Sequence, residues 1–280
     1  HKMSKLGKVV LAAGLGTAGF NAYVWNTRQD IRGINIFKPG SADEMLTETL
    51  RPGDIILFQR DWQKYYVPKA LSVAMYQYLN GSGLDHCGMV VQDSLGELFI
   101  FELSPDGHIC SPYRDRIFKS HSDSIVLLPL ENSAYSKNSV QYREAIFEEV
   151  SRVMNEKNQP YEPLEVMKGC ISQLLNDYQD RLPVPISQNM MELHHYPYSP
   201  SLRIVIDVLE NSTGIKFEHR SGSPLVQSTP EDIFKGKLLV KDRNHSTASS
   251  VTEEHEVGTS PTHSGSIGVK LGATTVIRDM

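Results

Sequence analysis

Two residues of this chain combine a reactive side-chain type with a position that could support chemistry, namely His86 and Glu102. His86 stands at the start of an apolar stretch typical of a β-strand, and Glu102 stands near the end of the next such stretch. An imidazole can take up and release a proton near neutral pH, and a neighbouring carboxylate can fix its tautomer. Histidines and carboxylates are also common at strand ends for purely structural reasons. The pair is a candidate acid–base site, and the structural alternative stays open.

The cysteines and the remaining histidines do not indicate a metal site. Three cysteines occur, and neither their number nor their spacing suggests a disulfide framework or a zinc site. Cys87 follows His86 directly, and neighbouring strand residues point to opposite faces, so Cys87 is not expected to share a site with the imidazole. His194 and His195 lack a third ligand at metal spacing. We therefore predict no metal and no cofactor.

Apolar periodicity and turn residues predict short strands placed between helices. A turn at Pro52-Gly53 precedes the first strand, Ser199-Pro200 has the composition of a helix start, and Gly214 suits the position just past that helix. This order of elements is typical of an α+β fold with an antiparallel sheet. The predicted strands are 54–59, 87–92, 98–103, 107–111 and 124–130, and the predicted helices are 43–50, 67–79, 141–155, 164–178 and 200–212.

Four short signatures follow one another along this stretch. A Gly-Asp pair opens the first strand, a His-x-Gly sequence opens the second, a Pro-Tyr-acid turn follows a long helix, and a Thr-Pro-acid-Asp sequence comes last. They are Gly53-Asp54, His86-Cys87-Gly88, Pro160-Tyr161-Glu162 and Thr229-Pro230-Glu231-Asp232. In this order they resemble the permuted papain-like amidases, the YiiX-like branch of the NlpC superfamily, with lecithin retinol acyltransferase as a more distant relative. The resemblance covers roughly residues 51–235.

The resemblance implies a circularly permuted papain-like (NlpC-type) α+β domain and a thiol mechanism. In the family, a histidine at a strand start is the base, a polar residue on the next strand orients it, and a cysteine at a helix N-terminus attacks an acyl carbon. Carried over to this chain, His86 is the base and Glu102 the orienting residue. A helix N-terminus would lower the pKa of such a thiol and offer N–H groups to an oxyanion.

The nucleophile position carries a serine in this chain. The family pattern Cys-Ser-x-Leu-Val before a helix is matched by Ser201-Leu202-Arg203-Ile204-Val205. An alcohol is a far poorer nucleophile than a thiol at a site built for a thiolate–imidazolium pair. Ser201 is therefore a working nucleophile, an inert replacement, or simply part of the helix start. Cys170 is the alternative nucleophile, although it is expected in the middle of a helix.

An uncharged segment at residues 9–25 lies between lysines and Arg28. It has about the minimum length for crossing a bilayer, and its central small residues are weakly hydrophobic. Three interpretations stay open: a membrane anchor, a cleaved signal or transit peptide, and a buried or loosely packed terminal helix. The segment also contains a GxGxxG match at 14–19, but no strand ending in an acidic residue follows, so no dinucleotide site is predicted.

Composition limits the partners and suggests the domain boundaries. A net charge of -5 and 8% aromatic residues do not indicate a nucleic-acid binder. The unpaired cysteines favour a reducing compartment for the folded domain. We predict an apolar N-terminal helix at 1–28, a linker at 29–50, the papain-like domain at 51–240 and a disordered tail at 241–280, which is rich in Ser, Thr and Gly.

Two functions fit these observations. The first is a membrane-tethered, permuted papain-like hydrolase or acyltransferase that acts on an amide or ester, such as a peptide or lipid acyl group, through His86, Glu102 and Ser201. The second is a catalytically inactive homologue that binds a ligand or a partner protein. The relation between His86 and position 201 in space distinguishes the two.

Overall fold

The computed structural model describes residues 5–28, 42–131, 140–157, 159–178, 196–242, 270–271 and 275–279. The strands within them are β1 Ile55–Arg60, β2 His86–Gln92, β3 Leu98–Ser104, β4 Gly107–Pro112, β5 Ser122–Leu128, β6 Leu130–Glu131, β7 Ile215–His219, β8 Leu238–Asp242, β9 Lys270–Leu271 and β10 Thr275–Asp279. Six of them form one antiparallel sheet in the order β10-β5-β1-β2-β3-β4. The smaller pairs are β6 with β9 and β7 with β8.

Helices cover this sheet, so the predicted α+β class is confirmed. The α-helices in the described residues are α1 Lys5–Arg28, α2 Ala42–Thr49, α3 Lys69–Asn80, α4 Tyr113–Phe118, α5 Val140–Met154, α6 Glu162–Tyr178, α7 Pro200–Thr213 and α8 Pro230–Phe234. Short 3₁₀ helices lie at Trp62–Lys64 and Leu225–Gln227.

Strand β1 is buried on both faces because apolar residues fill both sets of alternating positions. Ile55 and Leu57 join a cluster that includes side chains of α5 and α7, whereas Ile56 and Phe58 join a second cluster with side chains of α4. Successive strand residues point to opposite faces, so each face of the sheet has its own core. The α5–α7 face and the α4 face are therefore distinct environments for residues of β2 and β3.

The start and end of α7 agree with the sequence prediction. The Ser199 hydroxyl accepts a hydrogen bond from the backbone N–H of Leu202 at 3.4 Å, and Pro200 is the first helical residue. Gly214 ends the helix with a φ of 70°, a left-handed conformation that glycine adopts without steric cost. These local signals fix where Ser201 lies, one residue inside the helix.

Helices α3 and α6 pack against each other beside the sheet. Tyr76 of α3 and Val166 and Cys170 of α6 form a small buried cluster. Gly169 lets α6 approach the segment before α7, because a Cβ atom there would lie 2.5 Å from the carbonyl oxygen of Pro197. The pairing of α3 with α6 positions the N-terminal residues of both helices, which belong to the site described below.

The N-terminal segment is one continuous helix, α1, but the predicted transmembrane helix is not supported. No helix in the described part of the chain is long and apolar enough to cross a membrane. The small residues that interrupt the apolar run, such as Gly14, Gly16 and Gly19, are the physical reason. Helix α1 contacts the domain through the Phe20 and Trp62 rings, whose centroids are 6.4 Å apart.

The structure also differs from the prediction at the C-terminus. Residues 241–280 were expected to be disordered, yet β8 extends to Asp242 and Thr275–Asp279 form β10 on the edge of the main sheet, paired with β5. The stretch Thr275-Val276-Ile277 is β-branched, and such residues favour strands. The remainder of the predicted tail, most of the predicted linker and the pair His194-His195 lie outside the described residues.

Candidate functional site

The structure brings the predicted pair His86 and Glu102 together. Nε2 of His86 and Oε2 of Glu102 are 2.8 Å apart, and both side chains are buried. The antiparallel register places Glu102 opposite Gly88, two residues from His86 on the neighbouring strand. The Phe58 ring lies beside the imidazole, with 5.7 Å between centroids, so the pair belongs to the α4 face of the sheet.

The His-x-Gly signature has a steric reason. A Cβ atom on Gly88 would lie 2.8 Å from Cγ2 of Ile100 and 3.2 Å from the carbonyl oxygen of Phe101. Glycine at this position therefore allows β2 and β3 to approach closely where His86 and Glu102 meet. The signature is thus explained by packing, independently of any chemistry at His86.

Glu102 also forms an ion pair with Arg116 of α4. The guanidinium donates from Nε to Oε1 and from Nη2 to Oε2, the latter at 2.8 Å. Burial alone would raise the pKa of Glu102, but the charge of Arg116 and the hydrogen bond from His86 outweigh it and hold this pKa below its ordinary value. Glu102 is therefore an ionised carboxylate that contacts both the Arg116 guanidinium and Nε2 of His86.

A second buried carboxylate, Glu162 at the start of α6, lies on the other side of the imidazole. Its Oε1 accepts a hydrogen bond from Nη1 of Arg60 and is 3.3 Å from Nδ1 of His86. Its Oε2 is 3.1 Å from Nζ of Lys69. Burial raises the pKa of Glu162, but the positive charges of Arg60 and Lys69 and the contact with His86 lower it well below its ordinary value. Glu162 is thus also ionised.

Arg60 is held in place by Asp85, the residue before His86. It donates from its backbone N–H and from Nε to the two oxygens of Asp85, at 2.8 and 2.6 Å. Gln77 of α3 donates to the same carboxylate at 3.2 Å. A buried charge is tolerated only when it is paired and hydrogen-bonded, and these contacts satisfy that condition for Arg60.

These side chains form one buried network, which we call the ion cluster. It contains three cations, three carboxylates and one histidine: Arg60, Lys69, Arg116, Asp85, Glu102, Glu162 and His86. Lys69 and Arg116 are its partly open members, with 20% and 15% of their side chains exposed. The carboxylates lie deeper, so the cluster presents its positive groups toward solvent.

Ser201 is not joined to the imidazole. Among the described residues, Nε2 of His86 bonds to Glu102 and Nδ1 has no aligned hydrogen-bond partner. The Ser201 hydroxyl instead accepts a hydrogen bond from the backbone N–H of Cys87 at 3.2 Å. The pairing of β2 with β3 begins at Gly88, so Ser201 satisfies the backbone donor just before this ladder. Ser201 therefore has a structural task in the strand that carries His86.

None of the three cysteines, all of them described, has the lowered pKa that marks a reactive thiol. Burial raises the pKa of Cys170 to about 12, and burial together with the charge of Glu102 raises that of Cys110 to about 11. The pKa of Cys87 is raised for the same reasons, and its side chain belongs to the α5–α7 face, opposite His86. A nucleophilic thiol needs a lowered pKa. Cys170, the alternative nucleophile, instead packs between α3 and α6.

Sequence reasoning missed most of the ion cluster. Glu162 was noticed only as part of a turn signature, and Arg60, Lys69 and Arg116 were not singled out. One available signal was a charged residue that ends a mostly apolar strand, as Arg60 does in Ile55–Arg60. Such a residue has to be paired when its strand is central in a sheet.

No cofactor or metal site is evident at the ion cluster. Within the residues described, no group of three or more His, Cys, Asp or Glu side chains is placed to hold a metal ion. A cavity of about 520 Å³ opens at the outer edge of the sheet, lined by residues including Leu98, Tyr113 and Asp115. The cavity contains no member of the ion cluster in its lining and is a separate feature.

Comparisons with known proteins agree with the resemblance predicted from the sequence. No family model and no curated protein matches the chain. Among solved structures, the chain is similar to the metalloprotein YiiX from Escherichia coli O157:H7, at 17% sequence identity and a TM-score of 0.38. The match covers 68% of this chain and 95% of that chain. This is the kind of protein that the sequence was predicted to resemble, and a likeness of this size carries no conclusion about activity.

Proposed function

We propose that this chain is a non-catalytic, permuted papain-like domain whose ion cluster serves ligand binding. The observation that carries the proposal is the surroundings of His86, whose Nε2 faces Glu102 and whose Nδ1 faces Glu162. A general base needs one ring nitrogen with a lone pair directed at the nucleophile, as in a serine–histidine–carboxylate triad. In this chain each ring nitrogen of His86 faces a carboxylate oxygen, so neither is directed at the Ser201 hydroxyl.

The nucleophile side supports the same proposal. The Ser201 hydroxyl is buried, and it accepts the Cys87 N–H instead of donating to an imidazole. A serine becomes nucleophilic only when an adjacent base removes its proton. The Ser201 oxygen is bonded to a strand backbone and is not hydrogen-bonded to His86, so no base activates it. Because it is also buried, an acyl substrate cannot reach it.

YiiX is a metalloprotein, and the fit of a metal to this chain can be judged from its ion cluster. A carboxylate can bind a metal ion only through a lone pair that is not already engaged by a competing cation. Glu102 is paired with Arg116, and Glu162 is paired with Arg60 and Lys69. These residues do not fit a metal centre, and we propose no metal for the domain.

A hydrolase or acyltransferase that uses Ser201 is the second candidate. One observation favours it: Ser201 lies at the N-terminus of α7 and contacts the residue next to His86. A helix N-terminus can stabilise a developing oxyanion. The substrate implied by the sequence resemblance, a peptide or lipid acyl group, belongs to this candidate.

Replacement of Ser201 by cysteine separates the two candidates. If the site retained its catalytic machinery, the new thiol would be ionised by His86 and by the helix N-terminus, and it would react rapidly. We expect the opposite, because the position is buried and is not aligned with Nδ1. Iodoacetamide should label Ser201→Cys no faster than Ser151→Cys, a partly exposed position on α5, with labelling rates measured by mass spectrometry.

Two further variants make this test specific. Cys87, Cys110 and Cys170 are first replaced by alanine so that only the introduced thiol reacts. If Ser201→Cys reacts faster than Ser151→Cys, and addition of His86→Ala removes the difference, the proposal of a non-catalytic site is wrong.

A further inference from the structure

The carboxylate of Glu162 is surrounded by donors from three other elements. Arg60 comes from β1, Lys69 from the first turn of α3, and His86 from the start of β2. Their nitrogens Nη1, Nζ and Nδ1 approach the two oxygens of Glu162, the latter two at 3.1 and 3.3 Å. Three nitrogens of basic side chains that converge on one carboxylate make an arrangement suited to a small oxyanion.

Each donor is held by a contact that does not involve Glu162. Asp85 fixes Arg60 through two hydrogen bonds, and Glu102 fixes His86 through Nε2. Lys69 lies over the Tyr65 ring, with Nζ 4.7 Å from the centroid. The donors therefore keep their places whether or not Glu162 is present, which is the condition for a preorganised binding site.

Glu162 satisfies this set of donors only in part. Its hydrogen bond with Arg60 is formed and its Oε2 lies 3.1 Å from Nζ of Lys69, but Nδ1 of His86 is buried without an aligned hydrogen-bond partner. A buried polar atom without a partner is unfavourable. The Glu162 carboxylate is tethered to the backbone of α6 and cannot rotate freely, whereas an untethered carboxylate could align with all three donors.

We propose that Arg60, Lys69 and His86 form a binding site for the carboxylate of a ligand, and that Glu162 occupies this site from within the chain until the ligand displaces it. The inference deepens the proposed function by naming the class of ligand, and it rests on it. Lys69 is the side chain of this set that reaches solvent, being 20% exposed. The ligand carboxylate enters along Lys69.

The test removes the internal carboxylate and supplies an external one. The full chain with Glu162→Ala is heated in sodium acetate and, separately, in sodium chloride at the same concentration. In about 100 mM acetate we expect the melting temperature of this variant to exceed its value in chloride by roughly 5 °C. Glu165→Ala, also in the first turn of α6 but paired with Lys168 at the surface, should show no such difference. Addition of Lys69→Met to Glu162→Ala should abolish the effect of acetate.

The remaining outcomes are also decisive. If Glu162→Ala folds and acetate and chloride give the same melting temperature, the inference is wrong. If the variant folds only when acetate is present, the inference is supported.

If it folds in neither salt, the ring nitrogens of His86 in the natural protein are followed by NMR as acetate is added. A saturating shift of Nδ1 that is absent in Lys69→Met supports the site, and no shift overturns it. None of these readouts depends on labelling at position 201, so failure here is distinct from failure of the proposed function.

Discussion

At the scale of single residues, the hydroxyl of Ser201, the predicted nucleophile, serves the backbone of β2. The ladder between β2 and β3 begins at Gly88, and the N–H of Cys87 would be a buried donor without an acceptor if Ser201 were absent. Leaving such a donor unsatisfied costs more than an average hydrogen bond contributes. The serine is therefore explained by the strand that it supports.

Ser201→Ala should destabilise the fold by about 1–3 kcal/mol, because the Cys87 N–H loses its acceptor in a buried position. Urea unfolding followed by circular dichroism would measure the change. Ser151→Ala is the matched control, since the partly exposed Ser151 hydroxyl bonds only to the Phe147 carbonyl of its own helix and its loss should change stability by less than about 0.5 kcal/mol. Equal effects of the two substitutions would contradict the structural task assigned to Ser201.

His86 and Glu102 could be found from the sequence, whereas Glu162 could not. The first two lie in adjacent strands joined by a short turn, so strand register alone brings them together. Glu162 is far from His86 in the chain and reaches it because α3 and α6 pack beside the sheet. Local periodicity in the sequence does not reveal contacts that depend on how helices pack. For this reason Glu162, the carboxylate that faces Nδ1 of His86, was missed.

At the scale of elements, the contact between α6 and the segment before α7 depends on one glycine. Alanine in a helix is ordinarily more favourable than glycine by up to about 1 kcal/mol. At Gly169 a Cβ atom would lie 2.5 Å from Pro197 O and 2.9 Å from Tyr198 O, both of them backbone atoms.

Gly169→Ala should therefore destabilise the protein by about 1–3 kcal/mol, as in other overpacked sites. This is the opposite of the stabilisation that the helix propensity of alanine alone would predict. Gly16→Ala in α1 is the control, because no atom outside its own helix lies within 4 Å of the added Cβ, and it should be neutral or stabilising. Urea unfolding of both variants tests this. A stabilising Gly169→Ala would show that α6 does not pack against 197–198 as described.

Most elements were predicted because strong local signals mark them. The predicted helix 200–212 and the observed Pro200–Thr213 agree, since a serine cap and a terminal glycine bound the helix. Helix α3 begins at Lys69, two residues later than predicted, because Pro68 precedes it. The short helix α4 was missed, as its six residues are too few for a helical period to be recognised. Strand β10 was missed because the composition of the whole tail concealed a short β-branched stretch.

At the scale of the whole molecule, the ion cluster links three strands of the sheet to α3, α4 and α6, so its charge state should govern stability in acid. Glu102 and Glu162 both have lowered pKa values in the folded protein. A lowered pKa contributes stability that is present above the unfolded value, about 4.3 for glutamate, and that is lost as the pH falls through the folded value.

We predict that the contribution of these two residues to the unfolding free energy is constant down to about pH 5 and falls steeply below about pH 4. Urea midpoints measured between neutral and acid pH would show it. Arg116→Met should flatten the acid limb, because the pKa of Glu102 then loses its main lowering influence. An acid limb of unchanged steepness in this variant would mean that the Glu102–Arg116 pair does not control the transition.

At this scale we propose that His86 and Glu102 act as charge partners in a ligand-binding site and not as a catalytic base with its orienting acid. The natural protein should then be inert toward reagents that detect activated serines.

Labelling of the natural full-length protein with a fluorophosphonate probe, followed by mass spectrometry of the peptide that contains Ser201, tests this claim most directly. The account predicts no modification of Ser201 above that of the denatured protein. Rapid modification of Ser201 in the native protein, abolished by His86→Ala, would contradict it.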